Sequence, residues 1–205
     1  MEQDLDEVWQ SSDHETEEHA EGEGSLRRLD FLLERPGVDQ ERFAKPPAPF
    51  GWTDGLTDID GPRFWERIIA VEEARNARHK RISTVALFEV DGYAEAVERW
   101  GPTLGLQLFV QLARILVAGI RKSDYIARIG PTRFGVLLTE TDEILAINFI
   151  DRIQADCRAT VDPAANGLRV VSGWASPQAG GSLSDATQAA EQRLDEVVRR
   201  GSFGA

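Results

Sequence analysis

The sequence predicts an α+β domain in which helices flank a mixed β-sheet. Three observations point there. Residues 82–90 form a near-continuous apolar run, the pattern of a strand buried on both faces. Residues 125–138 hold two apolar stretches broken by Gly130-Pro131-Thr132, the pattern of a tight hairpin. Segments with apolar residues at helical spacing stand between these strands. A chain of 205 residues accommodates one such domain and an appendage.

Residues 1–24 carry ten acids and neither Lys nor Arg. They are poor in apolar groups and are expected to be a disordered acidic tail, because they cannot bury enough surface to offset the entropy of ordering. The rest of the chain holds 25 acids against 23 bases, so ten of the twelve net negative charges belong to the tail. A nearly neutral body lacks the basic footprint of a nucleic-acid binder. In residues 25–34, Leu26, Leu29, Phe31, Leu32 and Leu33 make a short amphipathic helix, stopped by Pro36-Gly37. Two readings of it stay open: a helix packed on its own domain, or a docking helix for a partner. Lys45-Pro46-Pro47-Ala48-Pro49 reads as an extended linker. The boundaries are therefore 1–24 for the tail, 25–51 for helix and linker, and 52–205 for the domain.

Within the domain, residues 62–81 read as a helix with Trp65, Ile68, Ile69, Val71 and Ala74 on its apolar positions. The buried strand 82–90 follows, then a short helix over 91–100 with Asp91 as its expected N-cap. Residues 104–120 place Leu104, Leu108, Leu112, Ile115 and Leu116 at helical spacing. After the hairpin come a helix over 142–158 capped by Thr141 or Asp142, a strand over 168–176 and a helix over 183–200. The order is αβααββαβα. Cys157 is the only cysteine, which excludes an internal disulfide and a CxxC site; its apolar-periodic setting predicts a buried small hydrophobe. No uninterrupted apolar run reaches ~18 residues, and the acidic N-terminus does not look like a secretory leader. The expectation is a cytoplasmic protein without membrane insertion.

Four segments in this order resemble the GGDEF family, the diguanylate cyclases that join two GTP molecules into cyclic di-GMP. The opening DxLTGLxNRRxF-like pattern appears as residues 54–65, where Asp54, Leu56, Thr57 and Arg63 are kept. The DxDxFKxxN pattern at the end of the first strand appears as Glu89-Val90-Asp91-Gly92-Tyr93-Ala94-Glu95-Ala96-Val97. The RYGGDEF hairpin appears as Arg128-Ile129-Gly130-Pro131-Thr132-Arg133-Phe134, and the late SIGVA strand as Ser172-Gly173-Trp174-Ala175. The resemblance covers about residues 52–203 and implies the family's fold.

Carried over position by position, the resemblance implies a damaged catalytic site. Two metals in the family sit between a strand-end Asp, the next carbonyl and an acid of the signature turn. Glu89 keeps a carboxylate at the first position and is the sole remaining metal candidate, whereas Arg133 falls on the signature acid. A guanidinium there replaces −1 by +1 beside metal and triphosphate. Pro131 has no N–H and a fixed φ where the family's glycine lets backbone approach the nucleotide. The guanine- and ribose-contacting positions fall on Val97 and Leu106, and the phosphate lysine near Val198. No metal or other cofactor is expected, and cyclase activity is not expected. Independently of the family, Glu89 and Asp91 read as caps of the strand-to-helix junction, and Arg133 as a solvated turn arginine.

Many members of the family carry an inhibitory RxxD site that binds cyclic di-GMP. Arg121-Lys122-Ser123-Asp124 stands at the matching offset, with Arg128 following. Arg121 can fork onto a phosphate or a guanine edge, and Asp124 can accept from a guanine N–H. The plainer reading is a helix-end arginine paired with its own Asp124. The function expected is that of an inactive regulator, with a cyclic di-GMP receptor role through Arg121, Asp124 and Arg128. The alternatives are a nucleotide-independent interaction module that recruits a protein partner through residues 1–50, and a GTP-binding or active cyclase. A homodimer is compatible with the family, whose cyclases pair to bring two GTP molecules together.

Overall fold

The computed structural model describes residues 45–161, 167–178 and 181–202. The acidic tail and the amphipathic segment 25–34 lie outside them.

The elements run α1 (Pro62–His79), β1 (Ser83–Asp91), α2 (Tyr93–Trp100), α3 (Pro102–Gly119), β2 (Tyr125–Arg128), β3 (Arg133–Thr139), α4 (Glu143–Thr160), β4 (Arg169–Ala175) and α5 (Leu183–Ser202). The sheet order is β2-β3-β1-β4, and every ladder between these strands is antiparallel. Its parallel component, among the described residues, is the single bridge between Asp60 and Ala127. The sheet is therefore mixed only at its β2 edge. Helices cover both faces of the sheet at central β1, which is why its sequence is a continuous apolar run.

Alternation along β1 divides the core into two layers. Ala86, Phe88 and Val90 face α2, α3 and α4, where Tyr93, Phe109, Leu112, Leu116, Ile150 and Ile153 are buried. Val85 and Leu87 face α1 and α5 and meet Trp65, Ile68, Ala190 and Leu194. Each large side chain so buried contributes about 1.5–3 kcal/mol. Helix α3 is long and apolar enough by composition to cross a membrane, yet its Phe109, Leu112 and Leu116 are fully buried in this core. At Gly173 on β4, a Cβ would lie 2.3 Å from the Ala190 carbonyl oxygen, so glycine sets how closely α5 approaches the sheet.

Two cap expectations resolve differently. Asp142 caps α4, its carboxylate accepting from the Leu145 amide at 2.9 Å. Asp91 does not cap α2: the cap is Gly92 at φ 81°, with no side-chain hydrogen bond into the helix. Asp91 accepts instead from Gly92 N–H at 3.0 Å and from the guanidinium of Arg169 on β4. A strong cation opposite the strand end takes the carboxylate that the helix would otherwise have used.

Candidate functional site

Two regions merit chemical description, and strand β3 has one end in each. At its start is the turn after β2. Antiparallel pairing sets Glu89 of β1 directly opposite Arg133 of β3. Arg133 Nε donates to Glu89 Oε2 at 2.7 Å, and its Nη2 donates to Asp195 Oδ1 on α5 at 3.1 Å. The Thr132 hydroxyl donates to the other Glu89 oxygen. Both oxygens of Glu89 thus receive internal donors. Burial lowers the Arg133 pKa, but the hydrogen bond and charge of Glu89, with the charge of Asp195, outweigh it and the net shift is upward. The guanidinium is permanently cationic. Neither plain reading of these residues survives: Arg133 is a half-buried ion-pair partner rather than a solvated turn residue, and Glu89 caps nothing.

The turn backbone is also occupied. The Gly130 and Ile129 amides both donate to the Arg133 carbonyl, and the Val90 amide donates to the Thr132 carbonyl at 2.9 Å. Phe134 is fully buried and stacks on Phe109, with ring centroids 5.4 Å apart. Val97 packs against the core and Leu106 is buried, and a Cβ on Gly105 would lie 2.7 Å from Val97 Cγ2, so the contact between α2 and α3 is filled by apolar atoms. Val198 is half-buried against the α1–α5 layer.

A metal at this turn would need several oxygen ligands. No cluster of three or more His, Cys, Asp or Glu side chains suited to a metal exists among the described residues. Each Glu89 oxygen already accepts an internal donor, Oε2 from Arg133 and Oε1 from Thr132. The donor set does not fit a divalent ion.

Arg128 was grouped with Arg121 and Asp124 in the sequence; the structure separates them. Its side chain is fully buried, and Nη1 meets both Asp54 oxygens at 2.9 and 3.0 Å. Nη2 donates to the carbonyls of Pro47 at 2.6 Å and Pro131 at 2.7 Å. The guanidinium carbon lies 4.9 Å from the centre of the Phe109 ring. Burial pulls its pKa down and Asp54 opposes that. Arg128 is therefore a structural bolt joining the linker, the turn at Asp54 and the hairpin. Asp54 is held by the same logic from the other side, since it also accepts from the Thr57 amide and hydroxyl. The end of the linker packs with the domain, where Pro46 is buried.

The second region lies at the far end of β3. Asp124 is buried; its Oδ2 accepts from the Arg121 amide and its Oδ1 from the Thr139 amide, each at 3.1 Å. The contact to Arg121 runs through the backbone, so the plainer pairing of the Arg121 guanidinium with Asp124 does not occur. That guanidinium is exposed and has no partner among the described residues. Arg121 and Asp124 line an open cavity of about 300 Å³ with Leu145, Asn148, Phe149 and Arg152 of α4. Arg152 donates to the Gly119 carbonyl at 2.8 Å and lies over the Phe149 ring. Sequence reasoning missed Arg152 and Asn148, because periodicity marks them only as exposed helix positions. Elsewhere Cys157 is buried, and burial pushes its thiol up to about 11.

Comparison with known proteins adds the following. The family model "Diguanylate cyclase, GGDEF domain" matches residues 51–202. The probable diguanylate cyclase DgcC of Escherichia coli K12 is 31% identical over 100 residues, 49% of this chain and 27% of that protein. The diguanylate cyclase DosC of the same organism is 29% identical over 147 residues, 68% of this chain and 32% of that protein. The chain thus spans about a third or less of the length of these relatives. Among solved structures, the GGDEF domain of DgcB from Caulobacter crescentus in complex with c-di-GMP superposes with a TM-score of 0.66 at 18% identity, covering 74% of this chain and 92% of that one. The diguanylate cyclase SiaD of Pseudomonas aeruginosa, in complex with its activator SiaC, gives 0.64 at 21% identity, covering 89% and 66%.

Proposed function

The chain belongs to the GGDEF family, and on that premise we propose that it is a catalytically inactive regulatory member acting in cyclic di-GMP signalling, with a receptor site for that nucleotide at Arg121 and Asp124. The observation that carries the inactivity is the ion pair between Glu89 and Arg133. The carboxylate available to a catalytic metal holds a covalently attached cation instead. Near a protein surface, each unit charge pair at ~4 Å is worth ~4 kcal/mol. A metal–triphosphate complex would have to displace that pair and then tolerate the guanidinium beside its ions.

The receptor reading rests on the cavity beyond the other end of β3. Arg121 and Arg152 present two guanidinium groups to it, and neither is neutralised by a carboxylate among the described residues. A cyclic dinucleotide offers two phosphates and two guanine edges, each a match for a planar cationic fork. Asp124 Oδ1 accepts from the Thr139 amide with the Thr139 and Ser123 hydroxyls beside it, whereas Oδ2 takes the Arg121 amide among the described residues and keeps a lone pair for a guanine N–H. Phe149 and Leu145 supply apolar surface for a base.

Calorimetry with cyclic di-GMP tests this. Binding in the micromolar range that is lost in Arg121→Ala is the expected result, together with no cyclic di-GMP formed from GTP with magnesium or manganese. Absence of heat well above micromolar ligand leaves the interaction-module reading. That reading has its own support in Ile144 and Ile147, apolar and exposed on α4. Formation of product from GTP would restore the enzyme reading.

A further inference from the structure

We propose that Arg193 guards the open edge of the sheet: its guanidinium holds the outward carbonyl of Trp174 on β4 and keeps that strand from pairing with the β4 of a second copy. β4 is the last strand in the order β2-β3-β1-β4 and pairs with β1 alone. The parity of the ladder says which of its backbone groups are spent. The Val90 amide donates to the Thr132 carbonyl on the β3 side. Alternate residues of an antiparallel strand turn their N–H and C=O to opposite neighbours. Leu87 and Glu89 therefore turn theirs to β4, onto Gly173 and Val171. It follows that Val170, Ser172 and Trp174 turn theirs away from the sheet, and among the described residues no backbone group meets them. Such a row is a template for another strand. The opposite edge differs: β2 is four residues long, and Asp60 bridges it at Ala127.

Gly173 brings the guard within reach. A Cβ there would lie 2.4 Å from the Leu194 amide nitrogen, so α5 runs against β4 and sets Arg193 beside the edge. Its Nη1 donates to the Trp174 carbonyl and, at 3.1 Å, to Glu143 Oε1 in the first turn of α4. The side chain thus passes the edge from the helix on one face of the sheet to the helix on the other. The strand itself offers no such protection. From Val170 to Ala175 it holds neither a charge nor a proline, the usual deterrents on an edge. A second copy is the occupant because the edge is complementary to itself. A two-fold axis at Ser172 lays β4 antiparallel to its twin, the self-matching contact of a symmetric dimer. Val170 of each copy then stands opposite Trp174 of the other. Both side chains are half-buried on the α4 face, and a β-branched residue facing an aromatic is a favourable cross-strand pair. The Trp174 carbonyl is the acceptor that the Val170 amide of the second copy needs, once at each end of the ladder. Arg193 already occupies it.

Residue-resolved amide hydrogen exchange on the full chain, read by nuclear magnetic resonance at rising protein concentration, tests this. In the wild-type protein the Val170, Ser172 and Trp174 amides are expected to exchange at rates independent of concentration. In Arg193→Ala the same amides are expected to slow about tenfold or more as concentration rises, because pairing with a second copy protects them. Adding Val170→Pro removes the slowing, since proline has no N–H to give and is tolerated where that N–H points out of the sheet. Arg193→Met, similar in reach and without a donor, carries the same test should the alanine variant not fold. Exchange at these amides that stays unchanged in both variants overturns the proposal. So does concentration-dependent slowing in the wild-type protein, which would mean an edge already paired. Slowing in Arg193→Ala at every concentration would make a segment of the same chain the occupant, and slowing that survives Val170→Pro would place the contact elsewhere; each overturns it too.

Discussion

The two ends of β3 make opposite use of arginine. At its start, Arg128 and Arg133 flank the hairpin turn, and both are answered by carboxylates of their own chain. Beyond its other end, about 20 Å away along a seven-residue strand, Arg121 stands exposed with its guanidinium unclaimed among the described residues. Residue type is therefore a poor guide to role in this fold. The partners set by tertiary contact decide whether a guanidinium is structure or an available site. At the turn both guanidinium groups are paired, and beside the cavity between the α3–β2 loop and α4 that of Arg121 is not, among the described residues.

The same substitution at each arginine is the sharpest way to break this contrast. Arg128→Ala removes a fully buried cation and leaves Asp54 uncompensated, so a loss of about 3–5 kcal/mol in urea denaturation is expected. A loss under ~1 kcal/mol, the range of exposed pairs, would mean that Asp54 is rescued by Thr57 and solvent.

The next effect is on pH. Burial raises the Cys157 thiol to about 11 in the folded chain from 9.0 ordinarily. Between those values the unfolded chain gives up a proton that the folded chain keeps, so stability is intact below pH ~9 and falls as pH rises through ~11, by on the order of 2 kcal/mol. Urea midpoints across this range check it, and Cys157→Ala should remove the contribution. In the folded protein at neutral pH, a thiol reagent should find Cys157 inert.

Arg121→Ala is expected to weaken cyclic di-GMP binding at least tenfold, about 1.4 kcal/mol, while shifting stability by less than ~0.5 kcal/mol. Loss of stability with unchanged affinity would reverse the roles assigned to the two ends. Arg152→Ala gives the smallest effect, a few-fold in affinity, because its Nη2 is already bonded to the Gly119 carbonyl.

The site residues divide by how far apart their partners lie in the chain. Asp142 was readable as a cap because its acceptor geometry is local, three residues from Leu145. Asp91 looked equally like a cap, but Arg169, 78 residues on, takes its carboxylate. Arg128 looked like a neighbour of Arg121, yet its partners Asp54 and Pro47 stand 74 and 81 residues before it. Arg133 was readable as a charge reversal in the signature turn. Its capture of Asp195, 62 residues on, was not. Arg152 gave no signal, since an exposed helix arginine is ordinary until a cavity opens beside it.

What the sequence by itself determined is the order of elements, the two-faced burial of β1 and the family. These follow from periodicity and residue identity, which act over a few positions. What only the tertiary structure decided is which charges cancel. That depends on distances between strands and helices far apart in the chain, and a charge pair falls off with separation in space, not in sequence.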